Sequence, residues 1–184
     1  ATLLRAMLCP PMERTETGGG YLVTPTPFIR SKSYTKLGDS GDVSLALAAV
    51  NKLQAVPYRV NRAVYDVLSS LPPTQDLRQG SCLRMAGESL DDVLYFPMNC
   101  DFRGRMYYLA DLLRPEGEDI ARALLMFDDS CEIATLEDAR WLLIHYCNLW
   151  GDDKIPLDDR VQWTLDNIGA DVCWIEGKGK EKYQ

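Results

Sequence analysis

Five consecutive residues, Asp101-Phe102-Arg103-Gly104-Arg105, bring together a carboxylate, two guanidinium groups and a glycine. They stand between Phe96-Pro97-Met98 and Met106-Tyr107-Tyr108. A guanidinium is a planar, permanently charged fork that suits phosphate and sugar oxygens. Gly104 has no side chain, so a nucleic-acid backbone can approach the main chain closely there. Asp101 can orient one arginine or accept a ribose hydroxyl. Arg103 and Arg105 are two apart, a spacing that on a strand puts both on one face to grip successive phosphates. Tyr107 continues that face and can pack on a sugar or base. The plainer alternative is a pair of surface arginines balancing Asp101 and Asp111.

Other residues invite weaker readings. Arg59 and Arg62 are three apart, and a shared helix face there can hold phosphates or simply be solvated. His145 is the one imidazole in the chain and reads as structural rather than as a proton shuttle. Asp128-Asp129, Asp152-Asp153 and Asp158-Asp159 are adjacent carboxylates, and neighbours on a helix diverge by ~100°. They read as solvated caps and not as metal ligands. Gly18-Gly19-Gly20 lacks the Gly-Lys-Ser/Thr ending of a phosphate loop.

The elements that must position these groups follow from pattern. Residues 1–41 are rich in Thr, Pro, Gly and Ser and read as irregular, with short extended pieces at Tyr21–Val23 and Pro27–Ile29. Asp42 suits an N-cap, after which Val43, Leu47, Val50 and Gln54 keep helical spacing. Pro57 interrupts that helix or kinks it. A second helical stripe, Val60, Val64, Val67 and Leu71, stops at Leu71-Pro72-Pro73. Val93–Phe96 and Arg105–Leu109 read as strands, with Asn99, Asp101 and Gly104 as turn formers between them. Glu118–Phe127 reads as a short helix. Thr135 caps a longer one, with Glu137 and Asp138 near its positive end. Its expected buried face is Leu136, Ala139, Leu143, Tyr146, Cys147 and Trp150, with Trp141 also in the core, and Gly151 ends it. Pro156 suits the first turn of a last helix striped by Leu157, Val161, Leu165 and Ile168. The expected organisation is an entry segment 1–41, a helical segment and connector 42–92, a segment 93–176 carrying the arginine hairpin, and a mobile tail 177–184. The fold class is α+β, mainly helical.

At 184 residues the chain is long enough for a real core, and 46% hydrophobic with 26% charged residues is ordinary globular chemistry. No apolar run approaches the ~20 residues of a membrane span. The six cysteines form no Cys-x-x-Cys pair, which argues for free thiols in a reducing cytoplasm. A net charge of −7 excludes indiscriminate coating of DNA, so any nucleic acid must meet a local basic surface.

The Asp101–Arg105 segment resembles the Asp-x-x-Gly-Arg motif of the single-subunit RNA polymerases, the bacteriophage and mitochondrial type. Other blocks resemble the same family in its order. These are Cys9-Pro10-Pro11-Met12 with Gly18-Gly19-Gly20-Tyr21, then Ala48-Ala49-Val50-Asn51-Lys52-Leu53-Gln54 through Pro57 to Asn61. Arg114-Pro115-Glu116-Gly117, Arg140-Trp141-Leu142-Leu143-Ile144-His145 and Gly151-Asp152-Asp153-Lys154 follow. Together they cover roughly residues 9 to 165. The chain departs from the family where Leu143 and Arg122 stand in place of lysines, and where the connector between Leu71 and Tyr95 is short. The family's catalytic aspartate motifs, its fingers helix and its amino-terminal promoter-binding region do not appear in this sequence.

The resemblance implies thumb-like helices plus the amino-terminal part of a polymerase palm with a small antiparallel hairpin. It implies that Arg59, Arg62, Asp101, Arg103, Gly104, Arg105, Tyr107 and Arg122 bind nucleic acid. It implies that Lys154 lies near the triphosphate of an incoming nucleotide. No residue of this chain is expected to be catalytic or to bind metal. Mg2+ would be held by a second polymerase subunit supplying the palm aspartates and the fingers. The implied partners are that subunit, a DNA template, an RNA transcript, nucleoside triphosphates and a recruiting factor. The implied setting is the cytoplasm of an infected bacterial host. The favoured expectation is a split gene, with this chain as the small subunit of a two-subunit phage RNA polymerase; a fragment of a longer polymerase is the other form. A protein-binding module that kept the scaffold but lost nucleic-acid contact is the alternative from another class.

Overall fold

The computed structural model describes residues 3–30, 43–101 and 103–168, and the chain divides into two units, Ala1–Asp129 and Ser130–Gln184. That division falls inside the segment expected to run from 93 to 176. The elements are helices and short antiparallel strands, 41% helical, as an α+β chain requires. No helix among the described residues is long and apolar enough to cross a membrane.

The first unit opens with a hairpin, β1 (Met12–Thr15) against β2 (Gly18–Gly20). This region was expected to be irregular until Tyr21–Val23, which instead form bends. The three glycines hide the strand from pattern reading, yet the structure needs Gly19 and Gly20. A Cβ on Gly20 would overlap the Arg14 guanidinium, which lies across the strand and is only 2% exposed. Arg14 donates to the Thr26 carbonyl at 2.6 Å and the Thr26 hydroxyl at 3.0 Å. Burial pushes its pKa down to about 10.

Helix α1 (Ser44–Gln54) follows. Val50 and Gln54 are buried and Val43 and Leu47 pack beside them, as the spacing predicts. The expected cap, Asp42, lies outside the described residues; Val43 occupies the N-cap without a side-chain bond. Asn51 acts as an extra strand partner for β1. It accepts from the Arg14 N–H at 2.7 Å and donates to the Arg14 carbonyl at 3.1 Å. Gln54 donates to the Met12 carbonyl at 3.0 Å. These two amides stitch α1 to the hairpin.

After Pro57 the chain does not resume a helix. Tyr58–Val60 forms β3, which pairs with β6 (Leu125–Phe127) in the register Tyr58↔Phe127, Arg59↔Met126, Val60↔Leu125. Helix α2 (Arg62–Ser70) begins only at Arg62, with the Asn61 side chain accepting from the Val64 N–H. The expected stripe is therefore rotated. Val64, Tyr65 and Leu68 pack on the core, while Val67 and Leu71 are exposed. Helix α3 (Leu77–Gly87) is capped by Asp76 and occupies much of the connector. The predicted strand pair also shifts. Leu94 and Tyr95 make single bridges to Tyr58 and Met7, and the hairpin proper is β4 (Met98–Cys100) with β5 (Met106–Tyr108). Pro97 lacks an N–H, so the regular ladder starts after it. Glu118–Phe127 is not one helix: α4 (Asp119–Ala123) stops at Leu124, and the next three residues join β3.

Two apolar clusters fill this unit. One holds Tyr58, Val60, Leu94, Phe96 and Leu124, and the other Phe28, Val50, Met98 and Cys100. Burial of such side chains stabilises by ~2 kcal/mol each, whereas an exposed ion pair contributes ~0–1 kcal/mol. The clusters, not the surface arginine–aspartate pairs, hold the unit together.

The second unit is α5 (Leu136–Trp150) and α6 (Leu157–Ile168). Thr135 and Asp138 form a capping box, and Gly151 ends α5 at φ +117°, as the sequence predicts. Ala139, Leu143, Ile144 and Cys147 are buried, and Ala139 and Leu143 pack with Ile133, Val161, Leu165 and Ile168. Trp141 and Trp150, expected in the core, are 67% and 70% exposed, and Leu136 and Tyr146 are also exposed. Among the described residues of this unit α6 is the helix that packs on α5, and it covers a narrow stripe. The five described cysteines are free thiols.

Candidate nucleic-acid interface

Strand β4 is held on both sides. On one side the register with β5 is Met98↔Tyr108, Asn99↔Tyr107 and Cys100↔Met106. On the other, Phe28–Arg30 runs parallel to it, with Cys100 N–H donating to the Phe28 carbonyl and Arg30 N–H to the Cys100 carbonyl, both at 2.8 Å. Alternation sends Met98, Cys100, Met106 and Tyr108 into the core. Asn99, Asp101 and Tyr107 fall to the opposite face.

The Asp-x-x-Gly-Arg residues form the tip. The Asp101 N–H donates to the Arg105 carbonyl at 2.8 Å, and the Gly104 N–H to the Asp101 carbonyl at 3.1 Å. The Asp101 side chain organises everything else. Its Oδ1 accepts from the Arg103 N–H at 2.8 Å and the Arg105 N–H at 2.9 Å. Its Oδ2 accepts from the Arg103 guanidinium at 3.1 and 3.2 Å and from the Tyr107 hydroxyl at 3.4 Å. Desolvation would raise the pKa of this carboxyl. The Arg105 and Arg103 N–H groups and the Arg103 guanidinium outweigh that, and hold it below the usual carboxylate value. Asp101 is therefore the anchor of the tip. Both of its oxygens accept from the loop, which is the arginine-orienting role of the two that the sequence offered for it.

Arg103 and Arg105 both precede β5, so the argument from strand alternation does not apply to them; the carboxylate orders them instead. Arg103 is paired to Asp101 but half exposed. The exposed Arg105 side chain makes no hydrogen bond or ion pair among the described residues. Gly104 has φ +82°, and a Cβ built there meets nothing within 4 Å. The glycine is thus needed for backbone conformation, and the space beside it is open. Tyr107 lies under Arg30, whose guanidinium carbon is 5.4 Å from the ring centroid. Arg30 belongs to this surface and sequence reasoning missed it. The one signal was that the extended piece Pro27–Ile29 ends on an arginine.

The remaining candidates are elsewhere. Arg59 lies on β3 and pairs with Asp128, while Arg62 opens α2 and pairs with Asp91 at 2.7 Å. They do not share a helix face, because Pro57 starts a strand instead of a second helix. Arg122 pairs with Asp119 on the short α4. Lys154 belongs to the second unit. Its ammonium is 3.0 Å from Asp153, the partner that the plain reading supplies for a loop lysine, and its side chain is highly exposed. Its loop is fixed by Arg160, which donates to the Ile155 and Asp153 carbonyls and the Asn148 side chain, each at 2.8 Å. His145 is exposed on α5 and not packed in a core. Asp128, Asp153 and Asp158 each pair with a cation, and among the described residues no three metal-ligating side chains come together. The residues described here do not fit a catalytic metal, and no metal-dependent step is assigned to them.

The chain is similar to named polymerases over most of its length. It is 34% identical to the DNA-directed RNA polymerase of Pseudomonas phage phiKMV over 169 residues, covering 91% of this chain and 20% of that protein. It is 26% identical to the DNA-directed RNA polymerase of Enterobacteria phage K11, covering 87% of this chain and 24% of the relative. It is also 26% identical to the mitochondrial enzyme of Neurospora crassa, covering 82% and 14%. No protein-family model matches the chain. The chain belongs to the single-subunit DNA-directed RNA polymerases of phage and mitochondrial type. It spans about a fifth of the length of the phiKMV relative. The K11 and Neurospora alignments run over 216 and 206 positions, more than the 184 residues of the whole chain, so those relatives carry insertions relative to it.

Proposed function

We propose that this chain is a non-catalytic part of a DNA-directed RNA polymerase, thumb-like helices with the start of the palm, that positions the template and RNA–DNA hybrid. The observation that carries this reading is the tip: one buried carboxylate presents two arginines and an open glycine to solvent in a chain that is otherwise acidic. Preformed donors suit phosphates because they need no ordering at the moment of binding. The catalytic aspartates, the fingers and the Mg2+ they hold would come from a second subunit or from the rest of a longer polypeptide. The bound metals would supply two-metal stabilisation of the attacking and leaving oxygens. This chain's part would be to hold the hybrid at Arg103, Gly104 and Arg105, and the triphosphate at Lys154. Arg59, Arg62 and Arg122 would add phosphate contacts by exchanging their carboxylate partners for nucleic acid. A recruiting factor would bring the assembled enzyme to its promoter.

The exposed apolar side chains Trp141, Leu142, Tyr146 and Leu149 on α5 suit contact with the part of the enzyme that carries the aspartates, whether a second subunit or the rest of a longer polypeptide.

Arg105→Ala tests the reading. Removing a charge-assisted phosphate contact is expected to weaken hybrid binding about tenfold or more. In the assembled enzyme it is expected to leave RNA synthesis abortive, with assembly intact on gel filtration. Unchanged transcription by the variant would remove the role assigned to this residue. Lys154→Ala is expected to raise the apparent KM for nucleotides about tenfold with little change in assembly. A variant that fails only to assemble would show Lys154 to be an interface residue.

A further inference from the structure

We infer that Arg30 is a third nucleic-acid-binding arginine at the tip, beside Arg103 and Arg105, and that Arg30 and Tyr107 form one platform that carries a strand away from the Asp101–Arg105 tip. This rests on the hybrid-holding reading above and extends it to Arg30, which lies between the quoted motif blocks. The geometry is continuous. Arg30 sits 5.4 Å above the Tyr107 ring, the Tyr107 hydroxyl reaches Asp101 at 3.4 Å, and Asp101 holds the Arg103 guanidinium at 3.1 Å. All four residues lie in the first unit.

The position of Arg30 is built and not incidental. Its N–H bonds to the Cys100 carbonyl, and the two preceding residues, Phe28 and Ile29, are buried in the cluster under β4. The backbone is pinned while the side chain lies on the outer face. Arg30 is exposed and, among the described residues, has no carboxylate partner, unlike Arg59, Arg62, Arg103 and Arg122. A guanidinium stacked on an aromatic ring keeps its edge N–H groups turned outward, where they can reach phosphate oxygens. Tyr107 limits the rotamers of Arg30 and so lowers the ordering cost of that contact. Asn99, directly opposite Tyr107 in the ladder, is buried and so packs beneath this surface.

The test is the salt dependence of binding of a short fluorescent RNA–DNA hybrid with a single-stranded overhang. The full chain is compared with Arg30→Gln, Arg30→Lys and Arg105→Gln by anisotropy between about 50 and 200 mM salt. A residue that neutralises a phosphate contributes ~0.9 to the slope of log K against log salt for duplex DNA. Arg30→Gln is therefore expected to lower the slope by about one, which narrows its affinity deficit three- to fourfold across that range. Arg30→Lys restores the slope, and the melting temperature stays near that of the parent. An unchanged slope for Arg30→Gln, with loss confined to melting temperature, would make Arg30 a structural latch on Tyr107 and overturn the inference. In that case Arg105→Gln would still lower the slope, leaving the hybrid-holding reading standing. Failure of the parent chain to bind the hybrid would overturn both.

Discussion

The expected result of Asp101→Ala is a chain that still folds but no longer holds a hybrid. Asp101 accepts four N–H donors, from the Arg103 and Arg105 main chain and from two nitrogens of the Arg103 guanidinium. Bonds to an ionised acceptor are the stronger class, and their loss frees both arginines at once. The turn would remain closed by the Asp101 N–H to Arg105 and the Gly104 N–H to Asp101, which use main chain only. Met98 and Cys100 would still anchor β4 in the core. The change is therefore one of order at the tip. If each arginine contributes about tenfold through a charge-assisted contact, affinity falls roughly a hundredfold. Asp101→Asn keeps an acceptor for the two main-chain N–H groups while losing the charge opposite Arg103, and an intermediate loss is expected. Hybrid affinity alongside circular dichroism checks this. An Asp101→Ala chain that binds as tightly as the parent would show that preorganisation of the tip contributes nothing.

The same carboxylate sets a pH dependence. Its folded pKa lies below the ordinary value of 3.8. Its contribution to stability is complete above that ordinary value and is lost as pH falls through the lower folded value. Order at the tip is thus expected to be flat from pH 7 to about 5 and to decline only in acid below 4.

The second large effect is expected at Gly19, and it concerns stability. Gly19 has φ +123°, and a Cβ there would overlap the Glu13 carbonyl oxygen and lie 3.0 Å from Arg14 Cα. The neighbour is backbone of the paired strand β1, which cannot rotate away. Strained φ costs ~1–2 kcal/mol and overpacking ~1–3 kcal/mol, so Gly19→Ala is expected to destabilise the fold by about 3 kcal/mol. Gly151→Ala isolates the clash. Its φ of +117° is nearly the same, but nothing lies within 4 Å of a Cβ there. It is expected to cost only the backbone strain, ~1–2 kcal/mol. Denaturant midpoints compare the two. Equal losses would show that the hairpin spreads to admit the methyl group.

Several elements were legible because their causes are local. Thr135, Asp138 and Gly151 cap α5 through bonds within a few residues. Pro57 ends α1 because its ring forbids the helix, and Gly104 marks a turn because it takes a positive φ. Pairing across long separations was not legible. β3 and β6 are three residues each and meet 65 or more positions apart, so neither carries a pattern long enough to read. Tyr58 and Phe127, whose rings meet at 5.1 Å, look in sequence like residues of two different helices. The faces of α2 and α5 were misassigned for a related reason. Spacing shows that apolar residues share a stripe, but which stripe is covered depends on what packs there.

What the sequence determined by itself was the set of residues at the tip and the family that the chain resembles. An acid, a glycine and two arginines within five residues fix their own turn through bonds that span at most four positions. What only the tertiary structure decided was which cations share that surface. It turned Arg59, Arg62 and Arg122 toward carboxylates, left Arg105 open, and laid Arg30 on Tyr107 from 77 residues away. The reason is physical: a charge keeps its sign wherever it stands in the chain, but its partner is chosen by the packing of the backbone that carries it.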